Sequence, residues 1–213
     1  MSEKSLVLLG AGGHCMSCID VIESVSEWRI EGILDRQTSE QSFVLDYPII
    51  GTDDDISKYI RQGVTFLITV GQIKSSAIRK RLFDRLKSES AKFATIISSK
   101  ACLSKYAEVG AGSIVHHFSS INSGARVGEN CIINTLTNIE HEVRIGDHTH
   151  ISTGVMVNGA VSIGNNCFVG SGTVIANGVS IADNVIIGAQ SLVLSDISEA
   201  GVHIGSPCKR IKE

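Results

Sequence analysis

The feature that most constrains this chain is a period of six residues in its second half. From Ile97 to Val193 every sixth position is Ile, Val or Leu, seventeen times in succession. The residue four places after each is mostly small, and Gly, Asn, Ala or Asp often follows the aliphatic one, as in Val109-Gly110, Ile145-Gly146 and Ile163-Gly164. Fortuitous spacing in a β-sandwich does not produce so unbroken a run. The pattern fits short strands joined by tight turns. The aliphatic and small residues point into a narrow interior, while Gly, Asn or Asp accepts the positive φ that turns require. Three hexads close one triangular coil, and coils stack at roughly 4.8 Å as parallel strands. Seventeen hexads give nearly six coils of a parallel β-helix, with no loop inserted between 97 and 193.

Composition divides the chain at the same place. Residues 1–96 hold 12 Lys/Arg and 13 Asp/Glu, whereas residues 97–213 hold 7 and 9 together with six of the seven His and 14 of the 21 Gly. The chain therefore reads as two domains, 1–96 and 97–213, in contact because no Pro- or Ser-rich linker separates them. A net charge of −3 of mixed sign argues against nucleic-acid or membrane-surface binding. No apolar run approaches the roughly 20 residues of a membrane span, and the first residues lack a signal-peptide pattern, so a cytoplasmic protein is expected.

Residues 1–96 alternate strand and helix. Ser5–Leu9, Ile30–Leu34 and Phe66–Val70 read as strands. Cys15–Val25, with Met16, Ile19 and Ile22 on one face, and the basic stretch Ser75–Leu86, with Ile78, Leu82 and Leu86, read as helices. This alternation predicts a small parallel α/β sheet. The first strand ends in Gly10-Ala11-Gly12-Gly13-His14 and opens a helix, where backbone N–H groups and the helix dipole favour phosphate. Cys15 stands where a dinucleotide fingerprint has its third glycine, so a nucleoside-diphosphate sugar suits the loop better than NAD. Asp35-Arg36 ends the second strand, where a carboxylate can meet ribose hydroxyls or a base edge.

Six cysteines do not make a disulfide framework here. Cys131 and Cys167 lie two coils apart, near 10 Å, beyond the roughly 7 Å limit for a bridge. Free thiols fit a reducing compartment. No Cys/His set has zinc-ligand spacing, so no metal is expected. His116 and His117 form a doublet on an outer turn, and His148 and His203 have no evident partner.

The hexads, the glycine loop, Asp35-Arg36, the segment Asn134-Thr-Leu-Thr-Asn-Ile-Glu-His141-Glu142 and the tail Gly205-Ser-Pro207-Cys-Lys209 together resemble the hexapeptide-repeat sugar O-/N-acetyltransferases of the NeuD/PglD type. The resemblance implies a Rossmann-like domain that binds a nucleotide sugar, followed by a left-handed β-helix that binds acetyl-CoA. It also implies a homotrimer with donor and acceptor sites at subunit interfaces. It makes His141 the general base, with Glu142 raising its basicity. It makes Gly12, Gly13, His14, Asp35, Arg36 and Gly71 substrate contacts, and His150, Ser171 and Ala189 contacts to acetyl-CoA. Asn134 is a candidate lining residue. Gly159, one coil from His141, offers a backbone N–H as a candidate oxyanion donor. The activity expected is acetyl transfer from acetyl-CoA to the 4-amino group of a nucleotide-linked 4-amino-4,6-dideoxyhexose, for surface glycan synthesis. O-acetylation of a sialic acid or related nonulosonate is the alternative. The rival from another class is a non-catalytic scaffold, or a carbonic-anhydrase-like β-helix with His116, His117 and His141 as zinc ligands between subunits.

Overall fold

A computed structural model describes residues 3–36 and 42–211. The first part is an α/β unit. Strand β1 (Lys4–Leu9) leads through the glycine loop into helix α1 (Gly13–Glu23). There follow β2 (Trp28–Leu34), β3 (Phe43–Val44), β4 (Tyr47–Gly51), α2 (Ile56–Arg61), β5 (Thr65–Ile68), α3 (Ala77–Ser88) and β6 (Lys92–Phe93). The sheet order is β3-β4-β2-β1-β5-β6, parallel except for the β3–β4 hairpin. Leu6 to Leu9 of β1 are all fully buried, as a central parallel strand covered on both faces requires. The chain steps from β1 outward to β2 and later returns to the far side of β1 as β5, which opens a crevice at the carboxyl ends of these strands.

The principal strands and the two longer helices lie where the sequence pattern puts them. The β3–β4 hairpin, α2 and β6 are unforeseen, being only two to six residues long. One helical face is corrected: Met16 is 47% exposed, and Cys15 and Cys18 are buried in its stead beside Ile19 and Ile22.

From Ile96 the chain winds into a triangular prism of mostly two-residue strands. Each strand pairs in parallel with the one a full coil later, as in Ile114↔Ile132, Ser120↔Asn138 and Arg126↔Arg144. Three sheets form its walls. All fourteen hexad aliphatics from Val115 to Val193 are buried in one cluster, with the small residues Ala125, Cys131 and Cys167 among them. At the open first coil Leu103 is exposed. The turns stack too closely for side chains at some positions: a Cβ on Gly110 would come within 2.5 Å of the Gly128 backbone. Side chains of one coil satisfy the turn of the coil before it, Asp147 Oδ1 accepting from Glu129 N (2.8 Å) and Asn165 Oδ1 from Asp147 N (2.8 Å). The Cys131 and Cys167 thiols face the carbonyls of Gly146 and Ala182, and all six cysteines are free.

The two parts share a core. The outward column of one prism wall runs Ile96, Ile114, Ile132, His150, Phe168, Ile186. The corresponding column of another wall runs Glu108, Arg126, Arg144, Ser162, Ser180. The apolar wall is the covered one. Helix α1 lays Cys15, Cys18, Ile19 and Ile22 over Ile96, Ile114 and Ile132 in a single buried cluster. Each of these isoleucines contributes roughly 1.5–3 kcal/mol by leaving water.

Beside it, Arg79 of α3 is buried, and among the described residues its guanidinium donates only to carbonyls. These are Ile68 (2.5 Å) and Val70 (3.1 Å) after β5, and Asn130 (3.2 Å) and Gly112 (3.4 Å) on the prism. Among the described residues no helix is long and apolar enough to cross a membrane.

Removing this guanidinium orphans carbonyls in both domains. Arg79→Met is expected to cost about 3 kcal/mol or more in urea unfolding. Arg79→Lys should recover only part, because an ammonium cannot reach four divergent acceptors. An unchanged midpoint in Arg79→Met would show the seam to be held by apolar packing alone.

Candidate active site

A cleft of about 880 Å³ opens where the α/β crevice meets the covered wall of the prism. Its α/β side consists of Gly10–His14 after β1, Asp35 and Arg36 after β2, Val70–Ile73 after β5, and Asp53. Its floor on the prism is Asn134, His150, Ser152, Phe168 and Ser171. The glycines of the loop differ in what they are for. Gly10 sits at φ +107°, and a Cβ there would strike Val70 at 2.5 Å, so the fold itself requires it. A Cβ on Gly12 or Gly13 would meet nothing within 4 Å, and neither has a left-handed φ. The room they leave faces the cleft at the start of α1, where unpaired N–H groups and the helix dipole attract an anion.

His150 lies on the floor, buried. Its Nδ1 is 2.6 Å from the Gln72 carbonyl, which can only accept, so Nδ1 carries the proton. Nε2 keeps its lone pair and faces the Asn134 side-chain amide at 3.4 Å. Burial, together with the Arg79 charge, brings the pKa of His150 down to about 4 although the Gln72 carbonyl opposes this. His14 stands with its ring centroid 6.3 Å from that of His150 and 5.4 Å from that of His116. Burial, then Arg79 and the neighbouring histidines, pushes His14 down to about 2. The cleft thus holds neutral imidazoles next to a fixed guanidinium. Ser152 and Ser171 join their hydroxyls at 2.9 Å along the floor.

The cleft gathers all six candidate substrate contacts with Asn134, His150 and Ser171. It does not include His141, Glu142, Gly159 or Ala189. His141 sits on a different corner of the prism with its side chain 59% exposed, Nδ1 3.4 Å from Glu142 Oε2. A Cβ on Gly159 would come within 2.5 Å of His141 Nε2, so this glycine leaves the space that the ring occupies. Among the described residues the Gly159 N–H has no protein acceptor. Ala189 is exposed on the turn that stacks on Gly170-Ser171.

Other histidines depart from the sequence reading. His116 is not on an outward turn; it is 1% exposed beneath α1, which separates it from exposed His141 and from any shared metal set within one chain. His117 bridges the domains through Ser98 Oγ (2.6 Å) and Asp20 Oδ2 (3.4 Å). His148 has Asn130 at 2.9 Å and the edge of Phe83, and His203 has the Glu199 carbonyl at 3.1 Å. Sequence reasoning missed Gln72, Phe168, Asp53 and Arg79. Only Phe168 left a signal, as an aromatic in an outward hexad position.

Two family models match: the PglD N-terminal domain over residues 5–86, and the bacterial transferase hexapeptide (six repeats) over residues 160–195. A curated relative, UDP-N-acetylbacillosamine N-acetyltransferase of Bacillus subtilis (strain 168), is 30% identical over 114 residues. That alignment covers 53% of this chain, and the chain spans about half (51%) of the relative's length. PerB from Caulobacter crescentus, solved with CoA and GDP-perosamine, has a TM-score of 0.89 at 26% identity, covering 98% of this chain and 97% of that one. The acetyltransferase domain of PglB from Neisseria gonorrhoeae FA1090, solved with acetyl coenzyme A, has the same fold. Its TM-score is 0.89 at 23% identity, over 99% of this chain and 100% of that one.

The buried imidazoles tie stability to pH. His150 and His116 are each held near 4 in the folded chain, in both cases mainly by burial, against 6.5 when free. Below pH 6.5 the unfolded chain takes up protons that the folded chain refuses, so stability rises with pH across the window from about 4 to 6.5. Each histidine contributes up to about 1.4 kcal/mol per pH unit within it. Urea titrations from about pH 4.5 to 7.5 should show this slope, shallower in His150→Gln. An equal slope in the variant would mean that His150 does not contribute to it.

Proposed function

We propose that this chain, which belongs to the hexapeptide-repeat transferases of the PglD type, transfers an acetyl group from acetyl-CoA to the amine of a nucleotide-linked amino sugar. The observation that carries the reading is the cleft itself. A phosphate-accepting glycine loop and an Asp-Arg pair line one side, and the β-helix forms the floor. The diphosphate would lie over Gly12, Gly13 and the start of α1, with Asp35 and Arg36 toward the ribose and base. The sugar would then reach toward His150, Asn134 and Ser171. The Bacillus relative is named for a nucleotide-linked amino sugar and PerB is solved with one, which favours an amine over a hydroxyl acceptor. A 4-amino-4,6-dideoxyhexose is the acceptor class proposed, and surface glycan synthesis its destination. Six free thiols suit a cytoplasmic setting.

In the proposed step the neutral amine attacks the thioester carbonyl. The N–C bond forms, the C–S bond breaks, and CoA leaves as the thiolate. The amine proton goes to His141 Nε2, whose lone pair is available because Nδ1 faces Glu142. The Gly159 N–H is the candidate donor to the developing oxyanion. His150 is the weaker candidate base, since an imidazole with a pKa near 4 holds a proton poorly at neutral pH.

His141 lies outside the cleft of its own chain, so the reading requires a neighbouring copy to bring its corner to the cleft mouth. Exposed Phe118, Leu136 and Met156 give the prism an apolar flank for that association, proposed as a homotrimer. Acetyl-CoA would lie between neighbouring prisms, near His150, Ser171 and Ala189.

His141→Ala is expected to lower kcat at least about 100-fold. Gly159→Ala should leave the unfolding free energy within about 0.5 kcal/mol but displace the ring and cost kcat up to about 100-fold. Near-normal turnover in His141→Ala would refute the mechanism. A free-thiol assay across UDP-, dTDP- and GDP-linked 4-amino sugars and sialic acids tests the acceptor, and turnover with a nonulosonate alone would sink N-acetylation.

A second prediction concerns the shared site. Inactive His141→Ala and Asp35→Ala proteins, unfolded and refolded together, should regain activity through mixed oligomers that combine an intact base with an intact cleft. No recovery, with mixed oligomers demonstrated by mass spectrometry, would place base and cleft on one chain.

A further inference from the structure

Beneath the glycine loop, at the seam of the two domains, lies a group of side chains of which the acetyl-transfer reading uses only His14, as a candidate substrate contact. His14 and Cys18 stand one helical turn apart on α1, on the face turned to the prism, and His116 follows Val115 on the prism. One donor atom from each, two imidazole nitrogens and the Cys18 sulfur, lie within 4.8 Å of one another. Cys18 is fully buried and His116 is 1% exposed. Among the described residues the Nε2 atoms of His14 and His116 are both buried without a hydrogen-bond partner. A buried polar nitrogen left unpaired is costly, and a ligand shared by the two rings would relieve it. The linear spacing hides this set, because its third member comes from another domain about a hundred residues later.

We propose that His14, Cys18 and His116 form a three-coordinate binding site for a thiophilic d10 metal ion that clasps α1 to the β-helix. Two imidazole nitrogens and a sulfur are the donors that such ions select. Hard cations such as magnesium or calcium prefer oxygen, which this set lacks. Binding forms two metal–nitrogen bonds and one metal–sulfur bond, and the Cys18 proton is released to solvent. Charge orders the candidates. Among the described residues the nearby Arg79 guanidinium has no carboxylate as a hydrogen-bond partner. A monovalent ion with the Cys18 thiolate adds no net charge to the seam, whereas a divalent ion adds one positive charge. Cu⁺ therefore suits the environment better than Zn²⁺, although both fit the donors.

The test uses the full chain, freed of metal with a chelator and titrated separately with Cu⁺ under anaerobic conditions and with Zn²⁺, each against a competing chromophoric chelator. One equivalent per chain is expected to bind, with raised thermal midpoint. Cys18→Ala and His116→Phe should each lose at least about 100-fold in affinity. Cys18→Ser, nearly isosteric, separates loss of the ligand from loss of the fold, provided its metal-free midpoint matches the parent. Cobalt(II) should show a thiolate charge-transfer band in the parent and none in Cys18→Ser. Absence of stoichiometric binding of either ion, or equal binding by parent and Cys18→Ser, overturns the proposal. Tighter Zn²⁺ than Cu⁺ binding overturns the charge ordering.

Discussion

The structure turns on one buried guanidinium. Among the described residues Arg79 has four carbonyls as hydrogen-bond partners, two in each domain, and no carboxylate. Burial lowers its pKa to about 10, which still leaves it charged at neutral pH. By fixing the carbonyls of Ile68 and Val70 it fixes the loop that follows β5. That loop sends the Gln72 carbonyl to His150 Nδ1 and the Gln72 amide to the Cys167 carbonyl at 3.0 Å. Both walls of the cleft are thereby held in register. The same charge adds to burial in keeping His14, His116 and His150 neutral.

The place of the cleft follows from a match of lengths. Helix α1 has eleven residues, about 16 Å, and three stacked coils span roughly 14 Å. At its C-terminal end Ser24 Oγ meets the Ser99 N–H of the first coil, and at its N-terminal end His14 stands over His116 and beside His150. The helix therefore covers Ile96, Ile114 and Ile132 and stops. The fourth residue of that column is His150, the first polar one, and the cleft begins there. The positive end of the helix dipole opens into it. A helix one turn longer would cap His150 and close the floor.

The prism was legible because a period of six in aliphatic residues has few physical solutions, and the glycine loop because a strand, glycines and a helix in sequence have few others. What escaped depends on packing between the two. Arg79 looks like one more charge on a basic helix, and nothing local distinguishes it from Lys80 or Arg81, which stay outside the core. His116 looks like half of a surface doublet, since only the position of α1 decides which of two adjacent histidines is covered. The column Ile96, Ile114, Ile132 was a readable hint. Outward positions of a solvated wall, such as Glu108, Arg126 and Arg144, are polar, so three isoleucines there demand a cover. Met16 was misjudged for the same reason: the buried face of α1 is set by this wall, which selects Cys15, Cys18, Ile19 and Ile22.

Two histidines nine residues apart show how position on one scaffold divides chemical roles. His150 faces the domain seam, where burial and the Gln72 carbonyl make it a neutral group with one fixed tautomer, suited to orienting a ligand. His141 faces outward on a turn, beside a carboxylate and above a glycine that leaves its ring room. Proton transfer needs a group that can charge without heavy desolvation, which the second environment permits and the first opposes. If His141 is the base, as proposed, its solvated corner lies away from the glycine loop of its own chain. On the proposed reading, association reconciles these demands. A neighbouring corner carries the solvated base to the cleft, and the apolar flank that drives this contact also excludes water once substrate is bound.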